Sequence, residues 1–276
     1  MKSILKYPGG KSWLATRSKK LITELEPRFV AEPFCGGLSF SLNNEFERVL
    51  ANDLISPLIN LYQHAQNGFV PNKDDWSLDK AFYLSIRERF NQLIANNQAN
   101  SEFAAGAMWY LSYHCFNGLM RFNLKGGFNV PFGQYEELAT PSGFTQFQEV
   151  TKDWTFTNGS FLDLNLKGVD FLLADPPYAG TFANYSGRGF TFKHQIQVAD
   201  WLADHSMPMI ACNSLNLELA KLYKARGFSI YRTDVKRSIS RNGKGRQAAP
   251  EMIAFKGFGK NRKFSQLVDK IERWRV

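Results

Sequence analysis

A mostly apolar run near the middle of the chain ends abruptly at two adjacent prolines. Residues 169–174 have the composition of a buried strand, and Asp175, Pro176, Pro177 and Tyr178 follow. The prolines end the strand because neither can donate to a strand ladder. In open α/β sheets, ligands bind just past the carboxyl ends of the strands. The run therefore predicts such a sheet, with a site at the end of this strand.

The residues after this strand can hold a planar ring that carries an amine. The Asp175 side chain and the Pro176 carbonyl group can each accept a hydrogen bond from an NH₂ group, and Tyr178 can stack on the ring. An acidic turn without a function is the alternative, because a string of four residues also occurs by chance.

Predicted strands and helices alternate on either side of a helical region. A strand, a glycine-containing turn, a short helix and a second strand occupy residues 29–53. Alternation resumes at residue 154, with predicted strands at 171–174, 208–213, 229–235 and 252–256 and predicted helices at 194–205 and 215–226. This order predicts a doubly wound, mostly parallel α/β sheet.

The region between these halves, residues 55–147, is mainly helical in pattern. Apolar residues recur at helical spacing in segments 56–68, 79–97 and 101–116. Residues 116–135 are instead rich in glycine, asparagine and aromatic residues, which predicts a hairpin or an ordered loop. We therefore expect a mainly helical insertion that carries a β-hairpin.

The composition indicates a globular protein with a polyanionic partner or merely a basic surface. The 276 residues are 44% hydrophobic and carry a formal net charge of +9. Cys35, Cys115 and Cys212 are widely spaced and odd in number, which predicts free thiols and neither a disulfide framework nor a metal site. A signal-peptide pattern and an apolar run of membrane-spanning length are both absent from the sequence. We expect a soluble, cytoplasmic and monomeric protein.

A glycine turn and an acidic residue indicate a second site, which suits a nucleoside. Residues 31–39 place a strand before a glycine turn and a helix start, so backbone NH groups can face a ligand. Asp53 ends the next strand and can accept bonds from both ribose hydroxyl groups. Phe161 follows a further strand and can pack on an adenine ring. A plain turn and an ordinary core phenylalanine are the alternatives.

Three further segments have the composition of nucleic-acid contacts. Residues 6–11 put a Gly-Gly turn between two lysines, which suits a carboxylate or a phosphate. In residues 116–133, apolar tips suit a base stack while Arg121 suits a guanine edge. Residues 236–246 contain five cations among small residues and suit phosphates. A solvated or packed loop is the alternative for each segment.

Together these segments resemble the Dam-type DNA adenine-N6 methyltransferases of class alpha, over nearly the whole chain. The similarity follows the family's order, with YPGGK at 7–11, EPFCGG at 32–37, Asp53, FNGLMRFNLKGGFNVPFG at 116–133, DPPY at 175–178 and RSISRNG at 237–243. The resemblance implies S-adenosylmethionine as methyl donor and double-stranded DNA as substrate. It also implies a Rossmann-like catalytic domain at residues 1–54 and 148–276, with a DNA-recognition domain at 55–147.

The resemblance further implies roles for single residues. It places the cofactor beside Tyr7, Lys11, Phe34, Gly36, Asp53, Phe161 and Asp175, and the target adenine beside Asp175, Pro176 and Tyr178. It places Lys6, Leu119, Arg121 and Pro131 at the bases of a GATC site and Phe116 in the gap beside the flipped base. It also places Asn117, Asn123, Arg237, Arg241 and Asn242 at the DNA.

Three departures from the family's pattern accompany this resemblance. Leu38 stands where another glycine is common, which predicts a tighter pocket at the methionine end of the cofactor. Ser160 stands where many relatives have aspartate, which puts one contact to the cofactor's adenine in question. Gln134 and Glu136 stand where some relatives have basic residues, which puts one contact to a DNA phosphate in question.

The predicted chemistry is methyl transfer to an amine. The N6 lone pair of adenine is delocalised into the ring, and acceptance of both amino protons by Asp175 and the Pro176 carbonyl group directs that lone pair outward. The adenine has to leave the duplex to reach these groups. The same chemistry on cytosine N4 or on RNA adenine is one alternative, and a DNA-binding relative without methyl transfer is another.

Overall fold

The fold is built on one eight-stranded sheet, in a computed structural model that describes residues 1–123, 125–178, 190–236, 248–258 and 271–276. The sheet order is β3-β2-β1-β4-β5-β7-β6-β8. Strands β1 to β5 pair in parallel, β7 is antiparallel to β5 and β6, and β8 is antiparallel to β6. The predicted mostly parallel sheet is confirmed. The strands are β1 (Phe29–Glu32), β2 (Arg48–Asp53), β3 (Thr155–Asn158), β4 (Phe171–Ala174), β5 (Met209–Ser214), β6 (Ser229–Lys236), β7 (Ala248–Lys256) and β8 (Glu272–Arg273).

Strand β4 shows that the sheet is covered on both faces. All four of its residues are buried. Phe171 and Leu173 belong to one hydrophobic core, and Leu172 and Ala174 belong to another. Because successive side chains of a strand point to opposite faces, a continuous apolar run is what a strand between two helical layers requires. The sheet is therefore doubly wound, as predicted.

Three of the longer helices begin after polar residues whose side chains cap them. Side chains of Asp79, Ser101 and Asn216 accept hydrogen bonds from the first turns of the helices that begin at Lys80, Glu102 and Leu217 respectively. Among the described residues, no helix has both the length and the apolar character needed to cross a membrane. The helices are α1 (Ser12–Arg17), α2 (Lys19–Leu25), α3 (Ser39–Asn44), α4 (Ser56–Gln66), α5 (Lys80–Ala95), α6 (Glu102–His114), α7 (Phe144–Thr151), α8 (Phe192–Ala203) and α9 (Leu217–Ala225).

The inserted helices share a core with one face of the sheet. Tyr62 of α4, Tyr83 of α5 and Trp109 of α6 belong to the same buried cluster as Phe171 of β4. Helix α4 also contacts β2 and β3, and α7 runs across the expected boundary between residues 147 and 148. The division of the chain into two domains therefore stays a prediction.

The segment after α6 forms a loosely paired hairpin. Only two isolated bridges, Cys115 with Phe132 and Phe122 with Phe128, join its arms among the described residues. Asn117 and Gly126 have positive φ values of 53° and 81°, which interrupt the pleat that a continuous ladder needs. The chain thus turns back on itself as in a hairpin, but its two arms do not form a continuous strand ladder.

Candidate active site

The carboxyl end of β2 presents Asp53 beside the glycine turn. The Oδ2 atom of Asp53 accepts a hydrogen bond from the backbone NH of Gly36 at 3.0 Å, and Oδ1 accepts one from Ile55 at 3.0 Å. Burial raises the pKa of Asp53, and these backbone hydrogen bonds oppose that rise. The carboxylate is therefore held in place while each oxygen retains a lone pair for a ligand.

The glycine turn itself is closed on one side by Tyr7. Gly36 has a φ of 45°, and a Cβ atom there would lie 3.0 Å from Cε1 of Tyr7. A Cβ at Gly37 would lie 2.9 Å from Cβ of Tyr7. Glycine is therefore required for the Tyr7 ring to approach the turn this closely. Leu38 has a left-handed φ of 55°, and its side chain is fully buried in the core.

Aromatic rings line the sheet edge next to Asp53. The ring centroids of Phe34 and Phe161, which the resemblance places at the cofactor, are 5.1 Å apart. Trp201 of α8 lies 5.3 Å from Phe161, and Phe190 lies 6.5 Å from Phe34. Ser160 accepts a hydrogen bond from the Leu162 backbone, which starts the short turn that carries Phe161. The presence of Trp201 and Phe190 beside these rings could not be predicted, because neither residue stands in a recognisable motif.

The structure joins Lys11 to the end of β4. The Nζ atom of Lys11 lies 2.7 Å from Oδ2 of Asp175, and it donates a hydrogen bond to the Gly9 carbonyl at 2.8 Å. The Lys11 side chain is only 4% exposed. Burial alone would lower the pKa of Lys11, but the Asp175 and Glu251 carboxylates outweigh it and raise that pKa. Lys11 therefore carries a fixed positive charge that orients Asp175.

The other oxygen of Asp175 lacks a partner among the described residues. Its Oδ1 atom is buried and accepts no hydrogen bond from them, although the Asp175 side chain as a whole is 22% exposed. Burial raises the pKa of Asp175 to about 6, against the lowering effect of Lys11. A buried acceptor without a donor is costly unless a ligand or water supplies one. This atom is therefore available to a donor such as an amine.

Tyr178 is oriented by the carboxylate of Glu251, a residue that was not predicted from the sequence. Its hydroxyl group donates to Oε2 of Glu251 at 2.7 Å, and Nζ of Lys11 lies 5.2 Å from the centroid of its ring. Glu251 lies at this edge because β7 is antiparallel to β5, with Glu251 opposite Ser214. We call Lys11, Asp175, Tyr178 and Glu251 the strand-end cluster.

Two buried amides hold the turn that follows Asp175. The Nε2 atom of Gln195 donates to the Pro177 carbonyl at 2.7 Å, and Nδ2 of Asn213 donates to Oε1 of Gln195 at 2.9 Å. Both side chains are fully buried. The contact uses the Pro177 carbonyl, next to the Pro176 carbonyl that is expected to accept the amine. Buried polar residues in α8 and β5 were the signal that could have identified this pair.

The hairpin presents several of the residues assigned to DNA. Arg121 and Pro131 are exposed, and the Phe116 side chain is 42% exposed. Leu119 is half-buried. Nζ of Lys6 lies 4.7 Å from the ring centroid of Tyr135, which fixes this lysine beside the hairpin.

Asn117 and Asn123 of this segment, both assigned to DNA, differ from one another. Oδ1 of Asn123 accepts hydrogen bonds from the backbones of Lys125 and Gly127 at 2.9 and 3.0 Å. Asn123 therefore stabilises the hairpin turn, whereas Asn117 is exposed. Gln134 and Glu136 are also exposed. Arg237, Arg241 and Asn242 lie outside the described residues.

Comparison with known proteins assigns the family of this chain. Residues 7–239 match the family model of the D12 class N6 adenine-specific DNA methyltransferases. The chain therefore belongs to this family. It is an enzyme that methylates adenine in DNA at N6, and it requires a methyl donor.

Individual relatives agree with this assignment. A DNA adenine methylase of Vibrio cholerae is 32% identical over 92% of this chain and 95% of its own length. A DNA adenine methylase of Escherichia coli K12 is 30% identical over 92% of this chain and 94% of its own length. The retron Ec67 DNA adenine methylase is 30% identical over 93% of this chain and 92% of its own length.

Proposed function

We propose that this enzyme transfers the methyl group of S-adenosylmethionine to N6 of an adenine that has flipped out of duplex DNA, at the sequence GATC. The observation that carries the proposal is the arrangement of Asp175. Lys11 binds one oxygen of its carboxylate, and the other oxygen is buried with no donor among the described residues. An exocyclic amine supplies the missing donor.

The strand-end cluster supports methyl transfer by positioning and electrostatics. Asp175 and the Pro176 carbonyl group accept the two amino protons and direct the nitrogen lone pair outward. Tyr178, oriented by Glu251, offers its ring to the base. Two carboxylates and one ammonium leave the cluster with a net negative charge when Asp175 is ionised, which favours the positive charge that develops on the amine.

We assign the cofactor to the same edge of the sheet, beside the end of β2. The Asp53 carboxylate suits the two hydroxyl groups of a ribose, and the Phe34 and Phe161 rings suit an adenine. The glycine turn against Tyr7 allows close backbone approach. These residues fit S-adenosylmethionine, which supplies a methyl group on a positively charged sulfur. No phosphate-binding loop competes with this assignment in the sequence.

The position of the acceptors supports base flipping. Asp175 lies at the end of a central strand and Pro176 beside it is buried. An adenine stacked inside a duplex cannot bring its amine to such atoms. The exposed ring of Phe116 is suited to fill the gap that the adenine leaves.

The GATC assignment comes from the resemblance to the Dam-type enzymes, and the exposed face of the hairpin supports it. Arg121 is suited to the O6 and N7 atoms of a guanine, and Leu119 and Pro131 are suited to a thymine methyl group. Lys6 lies beside the same segment through its contact with Tyr135. In this proposal, Arg121 reads the guanine, whereas Leu119 and Pro131 read the thymine.

Labelled S-adenosylmethionine tests the proposal on a panel of duplexes. The panel contains one GATC duplex and duplexes that differ from it at a single base pair, with single-stranded RNA of the same sequence as a further substrate. After digestion to nucleosides, we expect the label in N6-methyldeoxyadenosine from the GATC duplex. Label in cytosine or in RNA, or equal rates on all duplexes, would contradict the proposal.

A further inference from the structure

Helix α5 holds one arm of the hairpin through three side chains on a single face. Tyr83, Arg87 and Asn91 are spaced four residues apart, so they lie along one side of the helix. All three bond to the backbone of residues 128–130. We call residues 128–132 the return arm.

Asn91 takes the place of a neighbouring strand. Its Oδ1 atom accepts a hydrogen bond from the Phe128 backbone NH at 2.7 Å, and its Nδ2 atom donates to the Phe128 carbonyl at 3.0 Å. Two residues further along the chain, the Val130 carbonyl accepts hydrogen bonds from the Tyr83 hydroxyl group and from the Arg87 guanidinium, both at 3.0 Å. In the described part of the chain, the hairpin's own arms are joined by two isolated bridges and four backbone hydrogen bonds, and the four bonds from α5 hold the return arm from its other side.

Asn129 lies between the two residues that α5 holds. The side chains of Phe128 and Val130 are buried, at 1% and 2% exposure. Since side chains alternate along an extended chain, Asn129 points to the other side, toward Arg121. Its Oδ1 atom accepts a hydrogen bond from Nε of Arg121 at 2.8 Å, and its backbone NH donates to the Arg121 carbonyl at 3.2 Å.

The bond to Nε fixes the plane of the Arg121 guanidinium. A bidentate contact with guanine uses two NH groups of one guanidinium edge, and it requires the plane of the group to match the base. Because Nε is bound to Asn129, the edge formed by the two terminal nitrogens is the one that remains for a guanine. A long side chain that is already oriented loses less conformational entropy on binding.

We propose that Asn129 and Asn91 are positioning residues for sequence reading. Asn129 sets the plane of the Arg121 guanidinium, and Asn91 sets the register of the return arm that carries Asn129. The inference rests on the proposed function, in which Arg121 reads a guanine. It extends that function by linking the discrimination between bases to a helix on the other side of the hairpin.

Methylation kinetics on the duplex panel test this inference. The variants are Asn129→Ala and Asn91→Ala, with Arg121→Ala as reference and Gln92→Ala as control. Gln92 is exposed on the same helix and is the immediate neighbour of Asn91. For each enzyme, kcat and KM are measured on every duplex, and S-adenosylmethionine affinity is measured by calorimetry.

We expect both asparagine variants to lose discrimination at the one position that Arg121→Ala identifies. The loss should be about tenfold in the ratio of kcat/KM values, a part of what a bidentate arginine contact provides. Discrimination at the other positions and cofactor affinity should remain within about twofold of wild type, as for Gln92→Ala. Adding Asn129→Ala to Arg121→Ala should cause no further loss, since Asn129 acts through Arg121.

Three outcomes would overturn the inference. Uniform slowing of the variants on all duplexes would show a general structural role, and unchanged discrimination would show no role. If Asn91→Ala fails to fold, Asn129→Ala decides alone, because its side chain is not part of the core. A wild-type enzyme that does not discriminate between the duplexes would overturn the proposed GATC site together with this inference, and that result is visible before any variant is measured.

Discussion

The two oxygens of Asp175 lie in different surroundings. Lys11 binds Oδ2 through a short ion pair, whereas Oδ1 accepts no hydrogen bond from the described residues. In the proposed function, Lys11 orients the carboxylate through Oδ2, and Oδ1 accepts a hydrogen bond from the substrate amine. The proposal thereby gives a role to the ion pair between Lys11, near the start of the sequence, and Asp175, at the end of β4.

The state of Asp175 predicts how methylation depends on pH. Burial raises the pKa of Asp175 from its ordinary value of 3.8 to about 6. Above this pKa the carboxylate is ionised and accepts hydrogen bonds, and below it the added proton removes acceptor capacity. We expect the single-turnover methylation rate to fall as the pH is lowered through about 6, with cofactor affinity measured at each pH.

A second buried carboxyl group provides a control for this pH profile. Burial raises the pKa of Glu32 to about 7, and Glu32 accepts hydrogen bonds from Ser41. Glu32→Gln keeps an acceptor for Ser41 and cannot ionise. The variant should retain the fall near pH 6. A rate that stays constant down to pH 5 in the wild type would contradict the role given to Asp175.

The Tyr178 hydroxyl group predicts a separable effect on rate. Tyr178→Phe keeps the aromatic ring and removes the bond to Glu251. A hydrogen bond to a charged group contributes about 1.5–3 kcal/mol, so we expect the methylation rate to fall roughly tenfold or more while cofactor affinity is unchanged. The methylation rate of Glu251→Gln, which keeps a hydrogen-bond acceptor for Tyr178, should fall less. A wild-type rate in Tyr178→Phe would mean that the ring is oriented without its hydroxyl group.

At the scale of elements, the glycine turn contains a leucine in a conformation that glycine prefers. Leu38 has a φ of 55°, which costs roughly 1–2 kcal/mol for an L-residue. Its side chain is fully buried, and removing a buried leucine side chain costs about 2.7–5 kcal/mol. The burial therefore outweighs the strain. We expect Leu38→Gly to lower the free energy of unfolding by about 1–3 kcal/mol in urea titrations.

An exposed residue with the same backbone conformation is the matched control. Glu26 has a φ of 45° at the end of α2, and its side chain is exposed. Because Glu26→Gly relieves strain without removing a buried group, it should leave the stability unchanged or raise it by up to about 1 kcal/mol. An increase in stability for Leu38→Gly would show that its strain exceeds the value of its packing.

Strands and helices whose pattern lies within a short stretch of sequence were predictable. The strand at 171–174 was identifiable because four consecutive apolar residues end at two prolines. The pairing of the hairpin was not, because its return arm bonds to Asn91 on a helix far away in the sequence. Strand β8 was missed because two charged residues, Glu272 and Arg273, carry no pattern.

The same distinction applies to the site. The placement of Asp53 and Asp175 was predictable because Asp53 ends a parallel strand and Asp175 follows another, and the carboxyl ends of parallel strands share one edge of the sheet. Glu251 was not, because it reaches that edge at the start of an antiparallel strand. Only the strand order shows that the beginning of β7 lies beside the end of β5.

For the whole molecule, the excess of cations predicts a strong effect of salt. A net charge of +9 favours contact with phosphates, and each neutralised phosphate releases counterions. We expect the logarithm of the duplex association constant to fall with the logarithm of salt concentration with a slope of about −3 or steeper. S-adenosylmethionine affinity over the same range is the control. A flat dependence for the duplex would contradict binding through phosphates.

In the proposed function, the strand-end cluster is the place where the methyl group is transferred. The most direct test is the single-turnover rate of Asp175→Ala and Asp175→Asn on a GATC duplex, measured together with the calorimetric affinity for S-adenosylmethionine. We predict a fall in rate of roughly 10²–10³ or more, with cofactor affinity within a few-fold of wild type. A near-normal rate for Asp175→Ala would contradict the account.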